Sequence, residues 1–408
     1  MKKTLLVISV SLLLTSCVKT EQKTEGESED LLNNMEQSLM EQMADGVAFE
    51  MEEEDDDDRI IIPYELPNRV DITEENLPPI EYLKLEPIDL NYTNSADCFV
   101  CEDKVYVILN KYPSPYWITI QDFKTQKVIA EFFKQGNGPG EMLQCSVDIQ
   151  QGAIVALDIV TNRVSRLDVD EILTKGSSYK PHIAELRDGP MFKSRVLFLN
   201  DTTILTYNKD FMLGVNVGKN VPELLTFDAR SGDMYTKPYK TNQKYFVANI
   251  TNGEMIKAKN SDKLILAYAK RPIIKVLDSN LEVLKTYVGP EKNDSEFGKI
   301  DDTRELYELS GVCRHYYDST SSENYSIILN NGVHNEKNPD KAYDYEYSAQ
   351  NQVFKMFDKN GEIIKRFKIK EPYKYLYFIS YSECSNTLYV NTNDEDDETI
   401  FCRCVPVE

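Results

Sequence analysis

Ala153-Ile-Val-Ala-Leu-Asp-Ile-Val-Thr-Asn-Arg-Val-Ser-Arg-Leu-Asp168 is the stretch that decides the fold. Its first five residues are apolar, and apolar and polar residues alternate from Arg163 onward, which predicts two strands joined by a turn at 158–162. The first of these strands recurs along the chain at intervals of roughly 50 to 60 residues, a spacing typical of a repeat architecture. Its six copies lie at residues 105–109, 153–157, 203–206, 263–267, 325–329 and 387–390.

Each repeat contains several short β segments and no convincing helix, so the pattern predicts an all-β propeller with one four-stranded blade per repeat. In most repeats the third predicted strand ends at an aspartate, and a fourth strand follows. Ser231-Gly232 and Asn360-Gly361 stand at two of these corners, where a tight hairpin needs a backbone with positive φ. Six repeats therefore predict six blades.

The two ends of the repeat region complement each other. The last repeat stops after a third strand at 399–405, while residues 80–88 form a strand before the first repeat begins. We expect this N-terminal strand to become the outermost strand of the last blade, since that pairing removes an open sheet edge. The predicted propeller domain is 61–408.

The N-terminus predicts export. Lys2 and Lys3 precede an apolar stretch from Leu5 to Leu14, and Leu14-Thr-Ser-Cys17 follows. This segment, residues 1–17, resembles the signal peptide and lipobox of bacterial lipoproteins. The resemblance implies a lipid on Cys17. The alternative is an ordinary signal peptide in which the cysteine is incidental. By the same resemblance, Val18 after the cysteine implies an outer-membrane lipoprotein that faces the periplasm or the cell surface, held to the membrane by its acyl chains.

Residues 18–60 read as an acidic, largely disordered tether. Positions 18–58 hold 16 acidic residues against Lys19 and Lys23, so much of the chain's net charge of −22 lies here. The run 52–58 repels itself and should stay extended; as a calcium loop it lacks alternating spacing and a turn glycine. This acidity argues against nucleic acid as a partner. A possible short helix is indicated by apolar residues at every fourth position, namely Leu31, Met35, Leu39, Met43 and Val47.

Two segments resemble known families. Residues 156–168 look like the repeat of NHL-type propellers, with Asp158, Asn162, Arg163 and Val164 at its hallmark positions. Residues 133–141 are similar to the glycine-rich loop of TolB-like six-bladed β-propeller lipoproteins from gut anaerobic Gram-negative bacteria. The resemblance implies location and architecture more than activity. The loop motif consists of Gly136, Gly138, Pro139, Gly140 and Glu141.

The favoured function is a non-enzymatic binding or scaffold module for a glycan, peptide or protein at one mouth of the propeller. Three aromatic residues on the proline-stiffened loop 110–117 could stack on a sugar, although a local surface cluster explains them too. Four arginines could draw an anionic group to the mouth or channel, or could pair with nearby acids. These candidates are Tyr112, Tyr116, Trp117, Arg163, Arg195, Arg271 and Arg314.

The alternative is a gluconolactonase-like, metal-dependent hydrolase that uses the propeller channel. That function needs several inner carboxylates, and only Asp97 and Asp148, with Asp201 at a strand end, can be proposed for it. The glycine-rich loop has no following Lys-Ser/Thr, so it does not read as a phosphate loop. The sequence thus predicts no cofactor and no metal site. The cysteines after Cys17 read as small apolar residues of crowded inner strands, with a soft-metal or redox cluster as the other possibility.

Overall fold

The computed structural model separates the chain into two units, residues 1–57 and 58–408. The predicted tether lies outside the described residues except for its last two, Arg59 and Ile60, which form a strand of the second unit. Four candidate residues, Cys17, Tyr112, Arg195 and Arg314, also lie outside the described residues. The structure describes residues 59–60, 66–90, 96–111, 114–186, 196–207, 222–240, 246–247, 253–268, 271–290, 297–299, 305–308, 316–330, 352–370, 373, 376–393 and 398–407.

Three early strands find their partners much later in the chain. They are β1 (Arg59–Ile60), β2 (Arg69–Asp71) and β3 (Ile80–Pro87), and a 3-10 turn, Glu74–Asn76, lies between the last two.

The repeats then form antiparallel units in which each strand pairs with the next. Unit one is β4 (Asp97–Cys101), β5 (Val105–Leu109), β6 (Tyr116–Asp122) and β7 (Val128–Gln135), with β8 (Glu141–Met142) at its edge. Unit two is β9 (Cys145–Gln150), β10 (Ala153–Asp158), β11 (Arg163–Leu167) and β12 (Ala184–Glu185). Unit three is β13 (Val196–Asn200), β14 (Thr203–Tyr207), β15 (Pro222–Asp228) and β16 (Met234–Lys240).

The later repeats follow the same order, with short strands inserted between them. After β17 (Phe246–Val247), unit four is β18 (Glu254–Ile256), β19 (Leu264–Ala267), β20 (Ile273–Leu277) and β21 (Val283–Val288). After β22 (Phe297–Lys299) and β23 (Glu305–Glu308), unit five is β24 (Tyr316–Ser321), β25 (Ser326–Asn330), β26 (Val353–Phe357) and β27 (Ile363–Ile369). Unit six is β28 (Tyr377–Ser382), β29 (Thr387–Asn393) and β30 (Thr399–Pro406).

The N-terminal strand completes unit six, as the sequence predicts. β3 pairs antiparallel with β30, with Leu85 opposite Cys404. It also pairs in parallel with β27, the outer strand of unit five, so units five and six share one eight-stranded sheet. β2 pairs in parallel with β21 of unit four. We call residues 66–90 the N-terminal strap, because this segment covers the outer edges of three units.

The first strands of the units meet at the centre. The Val100 N–H donates to the Ser380 hydroxyl at 2.9 Å, and the Ile379 N–H donates to the Asp318 carboxylate at 2.9 Å. Unit two reaches unit five, since the Gln151 N–H donates to the Ser321 hydroxyl at 2.9 Å. Repeated antiparallel units whose first strands converge in this way define a β-propeller-type protein.

Two features depart from the sequence expectation. Unit two contains α1 (Val169–Lys175) and a 3-10 turn, Gly176–Ser178, where a hairpin turn was expected. The Asp168 carboxylate caps α1 by accepting from the Glu171 N–H at 2.9 Å, and Gly176 follows with φ +55°. In addition, β1, β17, β22 and β23 form a small sheet of their own outside the repeat pattern.

Candidate functional site

A cleft of about 690 Å³ opens where the first strands of units one to four turn into second strands. The turns between third and fourth strands lie at this same end, because antiparallel strands alternate in direction. Residues distant in sequence therefore share one wall. The lining consists of Glu102, Lys104, Gln151, Gly152, Ala153, Val164, Arg166, Asp168, Val169, Asp170, His182, Phe198, Asp201, Ala229, Arg230 and Lys259.

The side of the cleft formed by unit one and α1 is mainly acidic, and we call it the acidic wall: Glu102, Asp168, Asp170 and Lys104. The Lys104 ammonium lies 2.8 Å from Asp170 Oδ1 and 3.4 Å from Glu102 Oε2. The hydrogen bond to Asp170 is the main reason that the pKa of Lys104 is raised. The carboxylates thus outnumber the single cation that they hold.

The other charged residues of the lining include Arg166, Arg230 and Lys259, which we call the basic wall, with Asp201 beside Arg166. Arg166 Nη1 lies 2.5 Å from Asp201 Oδ1, and its guanidinium carbon sits 5.8 Å from the centre of the Phe198 ring. The Arg230 backbone is fixed by the Asp228 carboxylate, which accepts its N–H at 2.9 Å. Among the described residues, the guanidinium of Arg230 has no acidic partner.

Lys257 adds positive charge beside Arg166. Burial lowers the pKa of this half-buried lysine, and the charge of Arg166 lowers it further, against the raising effect of Asp262. Its ammonium donates only a long hydrogen bond, 3.4 Å, to the Ala258 carbonyl. A nearby anion would therefore favour the charged form of Lys257.

The floor of the cleft is a rigid turn. Gln151 Nε2 donates to the Phe198 carbonyl at 2.6 Å, which links units two and three. Gly152 has φ +68°, and a Cβ atom there would overlap the Glu102 carboxylate. The Cys101 thiol donates to the Gly152 carbonyl at 3.4 Å. The floor thus depends on a residue without a side chain.

The structure brings several of the sequence-predicted residues together, but at the other end of the strands. Trp117 Nε1 donates to the Met142 carbonyl at 2.7 Å. Arg163 Nη1 donates to the carbonyls of Gly138 and Glu141, each at 3.2 Å. The glycine-rich loop closes on itself, because the Gly138 N–H donates to Glu141 Oε2 at 2.7 Å. Arg163 and Trp117 therefore hold this loop, while Arg166, at the far end of β11, faces the cleft.

The remaining predicted residues are dispersed. Tyr116 is half-buried at the start of β6, and Arg271 is buried in the turn before β20. Gly136, Pro139 and Gly140 belong to the same loop as Gly138 and Glu141, and Gly140 has φ +82°. Cys98, Cys101 and Cys145 are buried free thiols on first strands, and burial raises the pKa of Cys101 and Cys145. These three pack as small apolar side chains of first strands, as the sequence predicts. The prediction is wrong for Cys384, which is exposed, and for Cys402 and Cys404, which are buried on the third strand β30.

First strands carry more carboxylates than the sequence analysis found. Besides Asp97 and Asp148, they include Asp318 and Glu254, and Glu254 Oε2 accepts from the Ser319 hydroxyl at 2.8 Å. Burial raises the pKa of Asp97, whose Oδ1 lies 3.4 Å from the Lys111 ammonium. Within the described ranges no three His, Cys, Asp or Glu side chains are grouped so that they could hold a metal ion. Asp318 and Glu254 instead bond neighbouring first strands.

Sequence analysis missed the cleft residues, yet a signal was present. Lys104, Gly152 and Asp201 lie within two residues of the start of a predicted second strand, so they occupy one equivalent place in three repeats. Aligning the six copies would have placed these positions at one end of the units. An alignment of the repeats does not show which of these turns lie together in the folded protein.

No protein-family model matches the chain, and no curated protein sequence is similar to it. A crystal structure of a member of the DUF4221 family from Bacteroides vulgatus superposes with TM-score 0.46 and 14% identity, covering 80% of this chain and 97% of that one. A putative exported protein from Bacteroides fragilis superposes with TM-score 0.48 and 13% identity, covering 84% of this chain and 100% of that one. A streptogramin B lyase superposes with TM-score 0.41 and 11% identity, covering 79% of this chain and 98% of that one. In the part of the chain that the structure describes, no helix is long and apolar enough to span a membrane.

Proposed function

We propose that this chain is a six-bladed β-propeller lipoprotein of the outer membrane that binds a glycan, peptide or protein partner without turning it over. The cleft of about 690 Å³ carries the proposal, because turns from four units supply its charged side chains. Anchoring is supported by the lipobox-like Leu14-Thr-Ser-Cys17. The acidic segment after Cys17 would hold the binding domain away from the membrane surface.

The composition of the cleft argues against covalent catalysis by a hydroxyl or thiol group. Among the described lining residues there is no Ser, Thr, Cys or Tyr, so no hydroxyl or thiol nucleophile stands next to a base. His182 Nε2 lies 3.0 Å from the Arg230 carbonyl. Lys104 and Arg166 are engaged with carboxylates. These pairs give the cleft a fixed charge pattern, which is what selective binding requires.

Turnover and ligand binding test the proposal together. Purified protein lacking residues 1–17 is incubated with a panel of lactones and esters and added Ca²⁺, Mg²⁺, Mn²⁺ or Zn²⁺, and we expect no turnover. A metal-dependent hydrolysis that Asp148→Ala abolishes would instead establish the gluconolactonase-like alternative.

In the second arm, thermal unfolding is followed with a panel of oligosaccharides and short peptides. A ligand specific for the folded state raises the melting temperature. We expect at least one such ligand, and we expect Arg166→Gln to reduce the shift. Arg69→Gln should leave the shift unchanged, because Arg69 is an exposed arginine outside the cleft lining that pairs with Asp71. A shift that survives Arg166→Gln in full would place binding elsewhere.

A further inference from the structure

The charge pattern of the cleft narrows the class of ligand, an inference that rests on the proposed binding function. The acidic wall presents Glu102, Asp168 and Asp170 around one lysine, and the basic wall presents Arg166, Arg230 and Lys259. A ligand that fits both walls needs an anionic group at one side and hydrogen-bond donors at the other.

The basic wall has capacity for an anion. Arg230 has no acidic partner among the described residues, and the partner of Arg166, Asp201, is 92% exposed, so water weakens that pair. Lys259 pairs with Glu323, which is not in the lining, at 3.2 Å. Guanidinium groups bind carboxylates through two parallel hydrogen bonds, and Arg166 is already oriented by the Phe198 ring.

The acidic wall suits hydroxyl donors. Ionised carboxylates accept hydrogen bonds and donate none. Glu102 and Asp170 line the cleft, and both carboxylates contact the same lysine, Lys104. Sugar hydroxyls donate to such oxygens at ordinary pH. Asp168 takes part less, because its carboxylate caps α1.

The apolar side chains of the lining are all buried, so they present little surface to a peptide or protein. None of the large hydrophobic side chains that are exposed elsewhere on the described surface belongs to it, and Phe198 is only 5% exposed. Grooves that bind peptides through their side chains use exposed apolar pockets, so this lining favours a ligand rich in hydroxyl groups.

We infer that the cleft binds an acidic saccharide, with a sugar carboxylate on the basic wall and sugar hydroxyls on the acidic wall. The test is isothermal titration calorimetry of the protein lacking residues 1–17 with a trigalacturonate, a hyaluronan tetrasaccharide and an alginate trisaccharide. Maltotriose serves as the neutral sugar, and the peptide triglutamate serves as the acidic non-sugar.

We expect at least one acidic saccharide to bind, and we expect its affinity to fall as the salt concentration rises. Arg230→Gln should raise the Kd for that saccharide about 10-fold or more, which is the range for the loss of a charge-assisted hydrogen bond. Because the Arg230 side chain has no acidic partner among the residues that the structure describes, this substitution should leave the fold intact. Arg69→Gln is the matched control and should change nothing.

Three results would overturn the inference: maltotriose binds as tightly as the acidic sugars, triglutamate binds as tightly, or no acidic saccharide binds. In the third case, a different ligand from the panel whose stabilising effect depends on Arg166 would leave the proposed binding function standing. Catalytic turnover, by contrast, removes the proposed function whichever ligand binds.

Discussion

At the scale of single residues, one aspartate repeats through the molecule. In units one, three, four and five it ends the third strand or directly follows it, and its Oδ1 accepts two backbone N–H groups of the next turn at 2.7–3.2 Å. In unit two the same position, Asp168, caps α1 instead. The residue therefore fixes whatever turn follows the third strand. The four turn residues are Asp122, Asp228, Asp278 and Asp358.

These turns give the protein a defined acid sensitivity. The side-chain hydrogen bond from Thr125 is the main cause that lowers the pKa of Asp122, and the backbone hydrogen bond from Glu282 is the main cause for Asp278. A lowered pKa means that the unfolded chain binds the proton more tightly. The stabilisation is thus complete above the unfolded value of about 3.9, and it disappears as pH falls through the folded values.

We compare how far the melting temperature falls between neutral pH and pH about 3. The fall should be smaller for the double variant Asp122→Asn, Asp278→Asn than for the wild type, because asparagine accepts the same hydrogen bonds without titrating. Thermal unfolding across this pH range measures the effect. Asp89→Asn is the control, because the exposed Asp89 carboxylate accepts no turn N–H among the described residues. Parallel pH profiles for the double variant and the wild type would contradict the assignment.

Gly232 is a second residue whose identity the fold requires. It has φ +75°, and a Cβ atom there would overlap the backbone carbonyl of Glu185 in β12. Gly140 has a similar φ of +82°, but its Cβ would meet nothing within 4 Å. An alanine at position 140 would therefore meet backbone strain alone, whereas an alanine at position 232 would meet both backbone strain and steric overlap.

Gly140→Ala should cost about 1–2 kcal/mol of unfolding free energy, the strain of a left-handed alanine. Gly232→Ala should cost more, because either the turn or β12 must move. Denaturant unfolding of both variants measures the difference. If both variants lose the same free energy of unfolding, the overlap with Glu185 is relieved without a measurable loss of stability.

At the scale of elements, the N-terminal strap joins what the repeats alone leave separate. β3 lies between β27 and β30, and β2 covers the edge of β21. The Arg366 side chain is 5% exposed and fastens the strap, with Nε donating to the Pro78 carbonyl and Nη1 contacting Glu74, both at 2.7 Å. Removing the strap would expose three sheet edges and leave a buried guanidinium without its partners.

Deleting residues 59–87 should therefore lower the melting temperature by many degrees and promote aggregation, while deleting residues 18–58 should leave it nearly unchanged. Differential scanning calorimetry of the two truncations, with light scattering to detect aggregates, gives the comparison. If both truncations melt at the same temperature, β3 does not close unit six.

The elements could be predicted to the extent that their signals are local. The second strands follow from apolar runs such as Ala153-Ile-Val-Ala-Leu157, and β3 follows from a strand without a neighbour in sequence. α1 has only seven residues, too few for a helical period to show beside strands. The parallel pairing of β3 with β27 is a contact between distant segments, and no local pattern records it.

At the scale of the whole molecule, the cleft exists because turns from four repeats converge. Lys104, Arg166, Arg230 and Lys259 come from four different units, and nothing in their local sequence marks them as neighbours. The sequence analysis placed binding at the aromatic and glycine-rich loops. Those loops carry more evident composition signals, yet Trp117 and Arg163 there bond to backbone carbonyls.

The proposed lipid anchor at Cys17 is tested independently of the fold. In cells, we expect Cys17→Ser to remove acylation and to release the protein from the membrane fraction, because the proposed acyl chains are all attached to this one cysteine. Labelled palmitate incorporation and membrane fractionation measure the two effects. The melting temperature and the ligand-induced shift of the purified Cys17→Ser protein should equal those of the protein lacking residues 1–17, since the binding domain contains every cleft residue. A Cys17→Ser protein that still pellets with outer membranes and still incorporates palmitate would show that the anchor lies elsewhere in the chain.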